Sequence, residues 1–310
     1  MAVKEKTNGI ASWTIVAGDG ITSATFVPEL GAIGSSLILP GPEGPRETLF
    51  QHEHFWDPDA ELTRGGLPFL FPVCGRLERG GKEDAYCYDH RWYTMKIHGF
   101  AHRLPWNVLA ADDPGELVLE LNANELTSEQ YPFSFTVRLT LRVEPGRLIC
   151  EQEYHNRGDR PYPYYAGFHP YFLTPPPDGG KSDVRIELAP LRVLAYNSKL
   201  TDVIGVKSMQ PAFPASISDP RINEQLLHMG KDKNVCLRFP DGFAIQMRAG
   251  GASDPDMFPY VQLYTMADKP FFCVEPWMGV PNALNTVDGV RRLAPGDAEA
   301  GRLLIAAQES

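Results

Sequence analysis

A strict two-residue alternation of apolar and polar side chains runs through residues 133–143. Its apolar members are Phe133, Phe135, Val137, Leu139, Leu141 and Val143. Successive side chains of a strand point to opposite faces, so this period predicts a long strand with one buried face and one solvent-facing side. The turn residues Glu144–Arg147 follow, and Leu148–Tyr154 then fits the returning strand of a hairpin.

Similar strand patterns recur along the chain. Further strands are predicted at Thr25–Pro28, Leu117–Leu121, Val235–Phe239, Phe243–Met247, Tyr260–Tyr264, Phe271–Val274 and Arg302–Ala306. The 28 glycines and 28 prolines are spread throughout, as many turns between short strands require. A short helix is predicted only at Asn223–Met229. We expect one all-β domain over residues 1–310, with an ordered core at about 10–307, built as a large antiparallel β-sandwich.

Charge and composition exclude several classes of partner. The chain has 29 Lys and Arg against 39 Asp and Glu, a net charge of −10. Nucleic acids and anionic membrane surfaces bind clustered cations, so we expect neither as a partner. The five cysteines are odd in number and form no CxxC pair, which favours a reduced, cytoplasmic protein. No signal peptide or membrane-spanning segment is recognisable.

Four runs place charged or titratable side chains inside an apolar or aromatic frame. They are residues 64–76 (RGGLPFLFPVCGR), 97–106 (IHGFAHRLPW), 164–172 (YYAGFHPYF) and 271–277 (FFCVEPW). His169 lies among aromatic residues that suit the C–H faces of a sugar ring, and a histidine can transfer protons at neutral pH. Glu275 follows four apolar or weakly polar residues, and a desolvated carboxylate makes a good general base. Taken singly, each run also fits a purely structural role.

Other chemistry has weaker support. The sequence contains no GxSxG, GxGxxG or GxxxxGK[ST] pattern, which excludes the commonest serine hydrolase, dinucleotide and P-loop sites. His52-Glu53-His54 resembles a fragment of a metal site, because an HxH on a strand puts both rings on one face. A histidine–metal enzyme centred there is therefore an alternative. Cys74 and Cys273 are interpreted as small core residues.

Together, the four runs resemble the aldose 1-epimerase (mutarotase) family, in the broad group that includes glucose-6-phosphate 1-epimerase-like proteins. The matching segments are RGGLPFLFPVCGR, HGFAHRLPW, AGFHPYF and CVEPW, in the order of the family. The resemblance spans roughly residues 20–305. It implies a galactose mutarotase-like β-supersandwich and an isomerase that interconverts the α and β anomers of a free aldose, with no cofactor and no metal.

The resemblance also implies roles for individual residues. Glu275 matches the base that takes the proton from the C1 hydroxyl, and His169 matches the acid that protonates the ring oxygen. His98 matches a second catalytic histidine, which holds the sugar oxygens. Arg64 and Arg76 match arginines that bind hydroxyls or phosphate through their donor forks.

One departure from the family bears on the substrate. Phosphate-using relatives read HGFAR, whereas this chain has His102 at the last position and Arg103 after it. Arg103 is expected on the other face of a strand, so we predict an unphosphorylated sugar, with His102 among its contacts. Asp232 is the candidate for the family's sugar-positioning aspartate. A hexose-6-phosphate 1-epimerase and a non-catalytic sugar-binding or sensing protein remain as alternatives, each with a small sugar as partner.

Overall fold

The computed structural model describes residues 1–57 and 64–308. Its strands are β1 Val3–Thr7, β2 Ile10–Val16, β3 Ser23–Val27, β4 Ile33–Gly41, β5 Gly44–Glu47, β6 Phe69–Leu70, β7 Glu78–Arg79, β8 Lys82–Glu83, β9 Ala85–Tyr88, β10 Arg91–Thr94, β11 Asn107–Ala110, β12 Glu116–Asn122, β13 Phe135–Glu144 and β14 Arg147–Asn156. They continue with β15 Tyr162–Tyr164, β16 Gly167–Phe168, β17 Tyr171–Leu173, β18 Arg185–Glu187, β19 Pro190–Tyr196, β20 Val203–Lys207, β21 Ala215–Ser216, β22 Gln225–Met229, β23 Val235–Arg238, β24 Ala244–Gly251, β25 Tyr260–Tyr264, β26 Phe271–Trp277, β27 Arg291–Leu293 and β28 Ala298–Ala307. The helices are α1 Glu125–Gln130 and α2 Ala283–Thr286, with 3-10 turns at Pro28–Leu30, Lys181–Asp183 and Pro220–Ile222.

Three large antiparallel sheets form the molecule, which confirms the predicted all-β class. The nine-stranded sheet has the order β11-β12-β13-β14-β28-β24-β23-β18-β21. The eight-stranded sheet has the order β20-β19-β22-β25-β26-β16-β6, with β17 also paired to β26, and β1 to β5 form the five-stranded sheet. Among the described residues, no helix is long and apolar enough to cross a membrane. The single domain over 1–310 stays a prediction, since residues 58–63 and 309–310 lie outside the described part.

The alternating run at residues 133–143 forms the predicted hairpin. Strand β13 pairs with β14 from Phe135↔Asn156 to Glu144↔Arg147. Its apolar members Val137, Leu139 and Leu141 are buried in the main core. Across this core, Phe71 stacks on Tyr154 of β14 at a ring distance of 6.1 Å. The nine-stranded sheet therefore packs its inner face against the residues that follow β6.

The predicted helix at Asn223–Met229 is wrong. Pro220–Ile222 forms a 3-10 turn, and residues from Gln225 onward form β22, which pairs with both β19 and β25. Leu226 and Leu227 are both buried in the main core. A strand covered on both sides loses the polar alternation that reveals an exposed strand, so the short apolar run could not be told from a helix turn.

Strand β26 carries the run that contains Glu275. Phe272 and Val274 pack into the main core between the sheets, whereas Phe271 and Cys273 belong to a separate apolar cluster. Because strand side chains alternate, Glu275 points to the same side as Phe271 and Cys273. The sheet register therefore turns this carboxylate away from the main core.

Candidate active site

A cleft of about 530 Å³ opens beside the eight-stranded sheet. Six of the seven predicted site residues line it: Arg64, Arg76, His98, His102, His169 and Glu275. They come from four segments that are far apart in sequence. The order of the strands brings residues from all four segments to this cleft.

His169 and Glu275 meet at the bottom of this cleft. The imidazole Nε2 of His169 lies 3.3 Å from Oε1 of Glu275, and both residues are buried. Burial lowers the pKa of His169 to about 3, because an imidazolium loses its hydration there. Burial, reinforced by the charge of Glu224, holds the pKa of Glu275 well above its usual range. At pH values between the pKa of His169 and that of Glu275, the pair therefore holds one proton.

That single proton can lie on either partner without changing the charge of the pair. A protonated Glu275 beside a neutral His169 has the same net charge as a carboxylate beside an imidazolium. Nδ1 of His169 and Oε2 of Glu275 are buried and have no hydrogen-bond partner among the described residues. Buried polar atoms without partners are costly, so these two mark a place where a ligand can supply hydrogen bonds.

His98 faces the pair from a turn. Nδ1 of His98 accepts a hydrogen bond from the backbone N–H of Gly75 at 3.0 Å. The proton of the neutral ring must therefore sit on Nε2. Burial, followed by the effect of His169, keeps the pKa of His98 well below its usual range, so the ring is a neutral donor. Its ring lies 5.3 Å from that of His169.

The backbone at His98 explains its orientation. His98 and Gly99 both have positive φ, 65° and 71°. A Cβ on Gly99 would lie 2.4 Å from the carbonyl oxygen of Phe71, so only glycine fits there without displacing the chain. The turn is thereby seated on the segment that follows β6. This close contact fixes the position of the His98 ring.

The expectation that Arg103 points away from the site is wrong. His102 and Arg103 both line the cleft, and Nε of Arg103 donates to Nε2 of His102 at 3.0 Å. Residues 100–104 form turns, in which the amides of Arg103 and Leu104 both donate to the carbonyl of Phe100. Side chains alternate only in extended backbone, so two neighbours in a turn can reach the same cavity.

The predicted arginines differ in how they are held. Nη1 of Arg64 donates to the carbonyl oxygens of Phe55, at 2.8 Å, and of Asp57. Arg76 is exposed at the rim, and its charge opposes the rise that burial causes in the pKa of Glu224. Arg64 is thus tied to the neighbouring turn, whereas Arg76 lies toward a carboxylate of the cleft.

Asp232 lies outside the cleft. Its carboxylate accepts hydrogen bonds from the backbone and side chain of Asn234, at 3.0 and 2.7 Å, in the exposed turn before β23. Glu224, just before β22, is a carboxylate that does line the cleft. Asp232 was chosen because the family has an aspartate ahead of a late strand; Asp232 precedes β23, whereas Glu224 precedes β22.

Sequence reasoning also missed a hydrogen-bonded row beside Glu275. The Tyr196 hydroxyl donates to Oε1 of Gln262 at 2.9 Å, and Nε2 of Gln262 donates to Oε2 of Glu224 at 3.1 Å. All three residues line the cleft. The alternation of β25 could have revealed Gln262, since this amide stands between the buried residues Val261 and Leu263.

Two aromatic residues of the predicted runs complete the cleft. The ring of Tyr171 stacks on His169 at 4.6 Å and 4°, and Trp277 lies 5.8 Å from His98. Both rings line the cavity. They offer flat apolar surfaces next to the titratable groups.

The metal site suggested by His52-Glu53-His54 can be compared with the groups of possible metal ligands among the described residues. His52 and His54 stack at 5.3 Å, but they do not belong to a cluster of three metal-ligating groups among residues 1–57 and 64–308. The cluster found there is His98, His169 and Glu275, whose ligand atoms lie within 4.8 Å of one another. The weak motif at His52-Glu53-His54 therefore gains no support as a metal centre.

Comparisons with known proteins identify the family and the fold. The sequence profile described as aldose 1-epimerase matches residues 14–289. Protein LacX, chromosomal, of Lactococcus lactis subsp. lactis is 23% identical over 244 residues, which cover 75% of this chain and 80% of that protein. A Salmonella typhimurium protein with the provisional name glucose-6-phosphate 1-epimerase is 30% identical over 142 residues, 45% of this chain and 42% of its own.

A solved structure matches the fold over nearly the whole chain. The galactose mutarotase-like protein from Lactobacillus casei ATCC 334 superimposes with a TM-score of 0.77 at 19% identity, covering 99% of this chain and 100% of that one. The supersandwich expected from the sequence is thereby confirmed. With the profile matching most of its length, the chain belongs to the aldose 1-epimerase family.

Proposed function

We propose that this protein is an isomerase that interconverts the α and β anomers of a free aldose by general acid–base ring opening. The observation that carries the proposal is the buried contact of 3.3 Å between His169 and Glu275 at the bottom of the cleft. The C1 hydroxyl oxygen and the ring oxygen of an aldose are bonded to the same carbon. Two groups this close together can reach both oxygens at once.

The proton transfers balance within the pair. Glu275, as carboxylate, removes the proton of the C1 hydroxyl, the C1=O double bond forms, and the bond from C1 to the ring oxygen breaks. His169, as imidazolium, delivers its proton to the leaving ring oxygen. Rotation about C1–C2 and the reverse transfers then close the other anomer. General acid–base catalysis is worth about 10² to 10⁴ in rate, enough for a reaction already easy in water.

His98 has the chemistry to assist this step. Its Nδ1 is occupied by the amide of Gly75, so Nε2–H is the group available to a sugar oxygen. A neutral donor stabilises developing negative charge without competing for the proton of the pair. We assign His98 to holding the sugar and stabilising charge near the reacting oxygens.

The hydrogen-bonded row beside Glu275 can recognise sugar hydroxyls. Both side-chain groups of Gln262 are engaged, with Tyr196 and with Glu224. Glu224 has no further hydrogen bond among the described residues, and a carboxylate accepts hydrogen bonds from donors such as hydroxyl groups. We therefore assign to Glu224 the sugar-positioning role that the sequence had suggested for Asp232.

A hexose 6-phosphate is the second candidate substrate. It is favoured by the position of Arg103, which lines the cleft together with Arg64, Arg76 and Lys96. An arginine fork can bind phosphate through two parallel hydrogen bonds. The name of the Salmonella typhimurium relative points the same way. Against it stands the net charge of −10, which makes an anionic substrate costly to attract.

Exchange between anomers, followed by NMR, tests the proposal. The substrates are α-glucose, α-galactose and glucose 6-phosphate, each with the wild-type protein and with Glu275→Gln. Faster exchange of a neutral sugar, unchanged by EDTA, is the expected result. Acceleration confined to the phosphate would transfer the proposal to the second candidate. Sugar binding without acceleration would instead identify a sensing protein.

A further inference from the structure

The strand that carries Glu275 also carries an unused hydrogen-bond donor. Trp277 stands two residues further along β26, and strand side chains alternate, so both side chains point to the same side. Both residues line the cleft and are buried, Glu275 at 1% exposure and Trp277 at 4%. Nε1 of Trp277 and Oε2 of Glu275 are each buried without a hydrogen-bond partner in the described part of the chain. A donor and an acceptor thus lie unpaired on one side of one strand.

The indole of Trp277 acts on the carboxyl of Glu275. Burial raises the pKa of this carboxyl well above its usual range, the charge of Glu224 raises it further, and the N–H of Trp277 lowers it. An indole N–H is a donor only, so it bonds to an oxygen that accepts. Hydrogen bonds to ionised acceptors are about twice as strong as those to neutral ones. Trp277 therefore favours the carboxylate over the protonated acid.

Gly167 on β16 fixes the position of this indole. It pairs with Trp277 across the sheet. A Cβ on Gly167 would lie 2.8 Å from Cδ1 of Trp277 and 2.7 Å from Sγ of Cys74. Because Cδ1 is bonded to Nε1, the edge of the ring that carries the donor is the edge that rests on this glycine. A side chain at residue 167 would push the donor away from its place beside Glu275.

We infer that the indole N–H of Trp277 donates to Oε2 of Glu275 once this carboxyl is ionised, which makes Trp277 a positioning residue for the base. The inference rests on the proposed function, in which Glu275 is that base. Hydrogen bonds of catalytic groups are often long or poorly aligned in the free protein and tighten during the reaction. The bond would favour the form of the pair that the reaction needs, a carboxylate beside the imidazolium of His169.

Other titratable groups surround Glu275, but they act differently from the indole. They are His98, His169, Glu224, Tyr196, Tyr264, Cys74 and Cys273. Burial raises the pKa of the two phenols and the two thiols and lowers the pKa of both imidazoles, so these six groups rest neutral at neutral pH. Glu224 opposes the ionised form of Glu275, and the charge of Arg76 acts on Glu224. The indole, which does not titrate, is a constant counterweight to Glu224.

NMR of the wild-type protein tests the contact without any turnover. The chain has five tryptophans, so labelling their nitrogen gives five indole signals, and Trp277→Phe identifies the signal of Trp277. In the sugar-free protein this signal should move as the pH rises through the ionisation of Glu275, and the movement should disappear in Glu275→Gln. The signal of Trp106 is the internal control, because its Nε1 donates to the carbonyl of Ala101 at 2.9 Å.

The kinetics of Trp277→Phe measure the consequence for the reaction. The variant keeps an aromatic ring but lacks the donor, so kcat should fall about 10- to 100-fold, the worth of a hydrogen bond to a charged group, while KM changes less. The alkaline limb of kcat/KM should move to higher pH, because the carboxylate loses its donor. The matched control is Trp106→Phe, another indole at 4% exposure, which should leave that limb in place. Thermal unfolding of both variants separates a lost donor from a lost fold.

Three results would overturn the inference. They are a Trp277 signal that does not move with pH, a signal that moves only when sugar is added, and an alkaline limb in Trp277→Phe that stays in place or moves to lower pH. A wild-type protein without anomer exchange would instead refute the proposed function. The pH titration of the Trp277 signal would then still decide whether the indole bonds to Glu275.

Discussion

Gln262 on β25 lies directly opposite Glu275 on β26, and the same amide joins Tyr196 to Glu224. The proposed base therefore stands beside a row of hydrogen bonds whose position the sheet register fixes. Glu224 acts on Glu275 through its negative charge, which raises the pKa of the Glu275 carboxyl. The protonation of the pair and the sugar contact proposed for Glu224 thus involve the same wall of the cleft.

Replacing the proposed base should abolish most of the activity. Glu275→Gln keeps the size of the side chain but cannot accept a proton, so kcat should fall by about 10² to 10⁴. The measurement is the rate of anomer exchange at saturating sugar, with thermal unfolding as the control for the fold. A Glu275→Gln variant as active as wild type would refute the assignment.

The proposed acid has a matching test. His169→Asn removes the Nε2 group that protonates the ring oxygen but keeps a polar atom at the position of Nδ1. We expect a loss of at least ~10² in kcat, seen in a full Michaelis–Menten analysis. If only KM rises, His169 binds the sugar and is not the acid.

The acid side of the pH profile should differ from that of a base carboxylate with an ordinary pKa. Burial lowers the pKa of His169 to about 3 and raises that of Glu275, so the pair keeps its one working proton across the interval between these values. We expect acidification to leave kcat/KM flat down to about pH 4, because the pair takes up a second proton only near the pKa of His169, whereas a base carboxylate of ordinary pKa would lose half its activity near about 4.3. An acid limb centred near that ordinary value contradicts the shared-proton scheme.

Neutralising Glu224 should move the alkaline side of the profile. The charge of Glu224 raises the pKa of Glu275, so Glu224→Gln should lower that pKa and shift the alkaline limb of kcat/KM to lower pH. Glu29→Gln is the control, because Glu29 lines the same cleft but is not among the groups that shift the pKa of Glu275. An unmoved alkaline limb in Glu224→Gln, or an equal shift in both variants, would argue against this coupling.

The turn that carries His98 should be intolerant of a side chain. Gly99→Ala combines a strained positive φ with a Cβ that would lie 2.4 Å from the carbonyl of Phe71. Gly20→Ala has similar strain, at φ +67°, and no atom within 4 Å. The control should lose about 1–2 kcal/mol of unfolding free energy, and Gly99→Ala more than that, with reduced activity. Denaturant unfolding measures both, and equal losses would show that the contact with Phe71 has no consequence.

The alternation of apolar and polar residues predicted the strands that have one solvent-facing side. The four runs whose residues line the cleft were identified together through the family resemblance. The alternation in β13 was readable because one side of that strand meets solvent. Strand β22 was not readable, because Leu226 and Leu227 are both buried and the period disappears. Glu224, which directly precedes this strand, lay inside the wrongly predicted helix. Asp232 was chosen as the sugar-positioning carboxylate.

The error at Arg103 has a different physical origin. It came from applying strand geometry to residues 100–104, where the hydrogen bonds are those of turns. The pairing of His169 with Glu275 could be expected only through the family resemblance, since the two residues are more than a hundred positions apart. Their distance and their burial depend on the order of strands in the sheet, which no local pattern reveals.

Strand β26 is buried along its entire length, with Phe272 and Val274 on one side and Glu275 on the other. Directed evolution toward new sugars therefore has little freedom on this strand, because a change of volume beneath the carboxylate also disturbs the core. Arg76 and Arg103 stand exposed at the mouth of the cleft, outside the strands, where replacement is generally better tolerated. Libraries built at the mouth should alter the choice of sugar, whereas libraries on β26 should yield mostly unfolded protein.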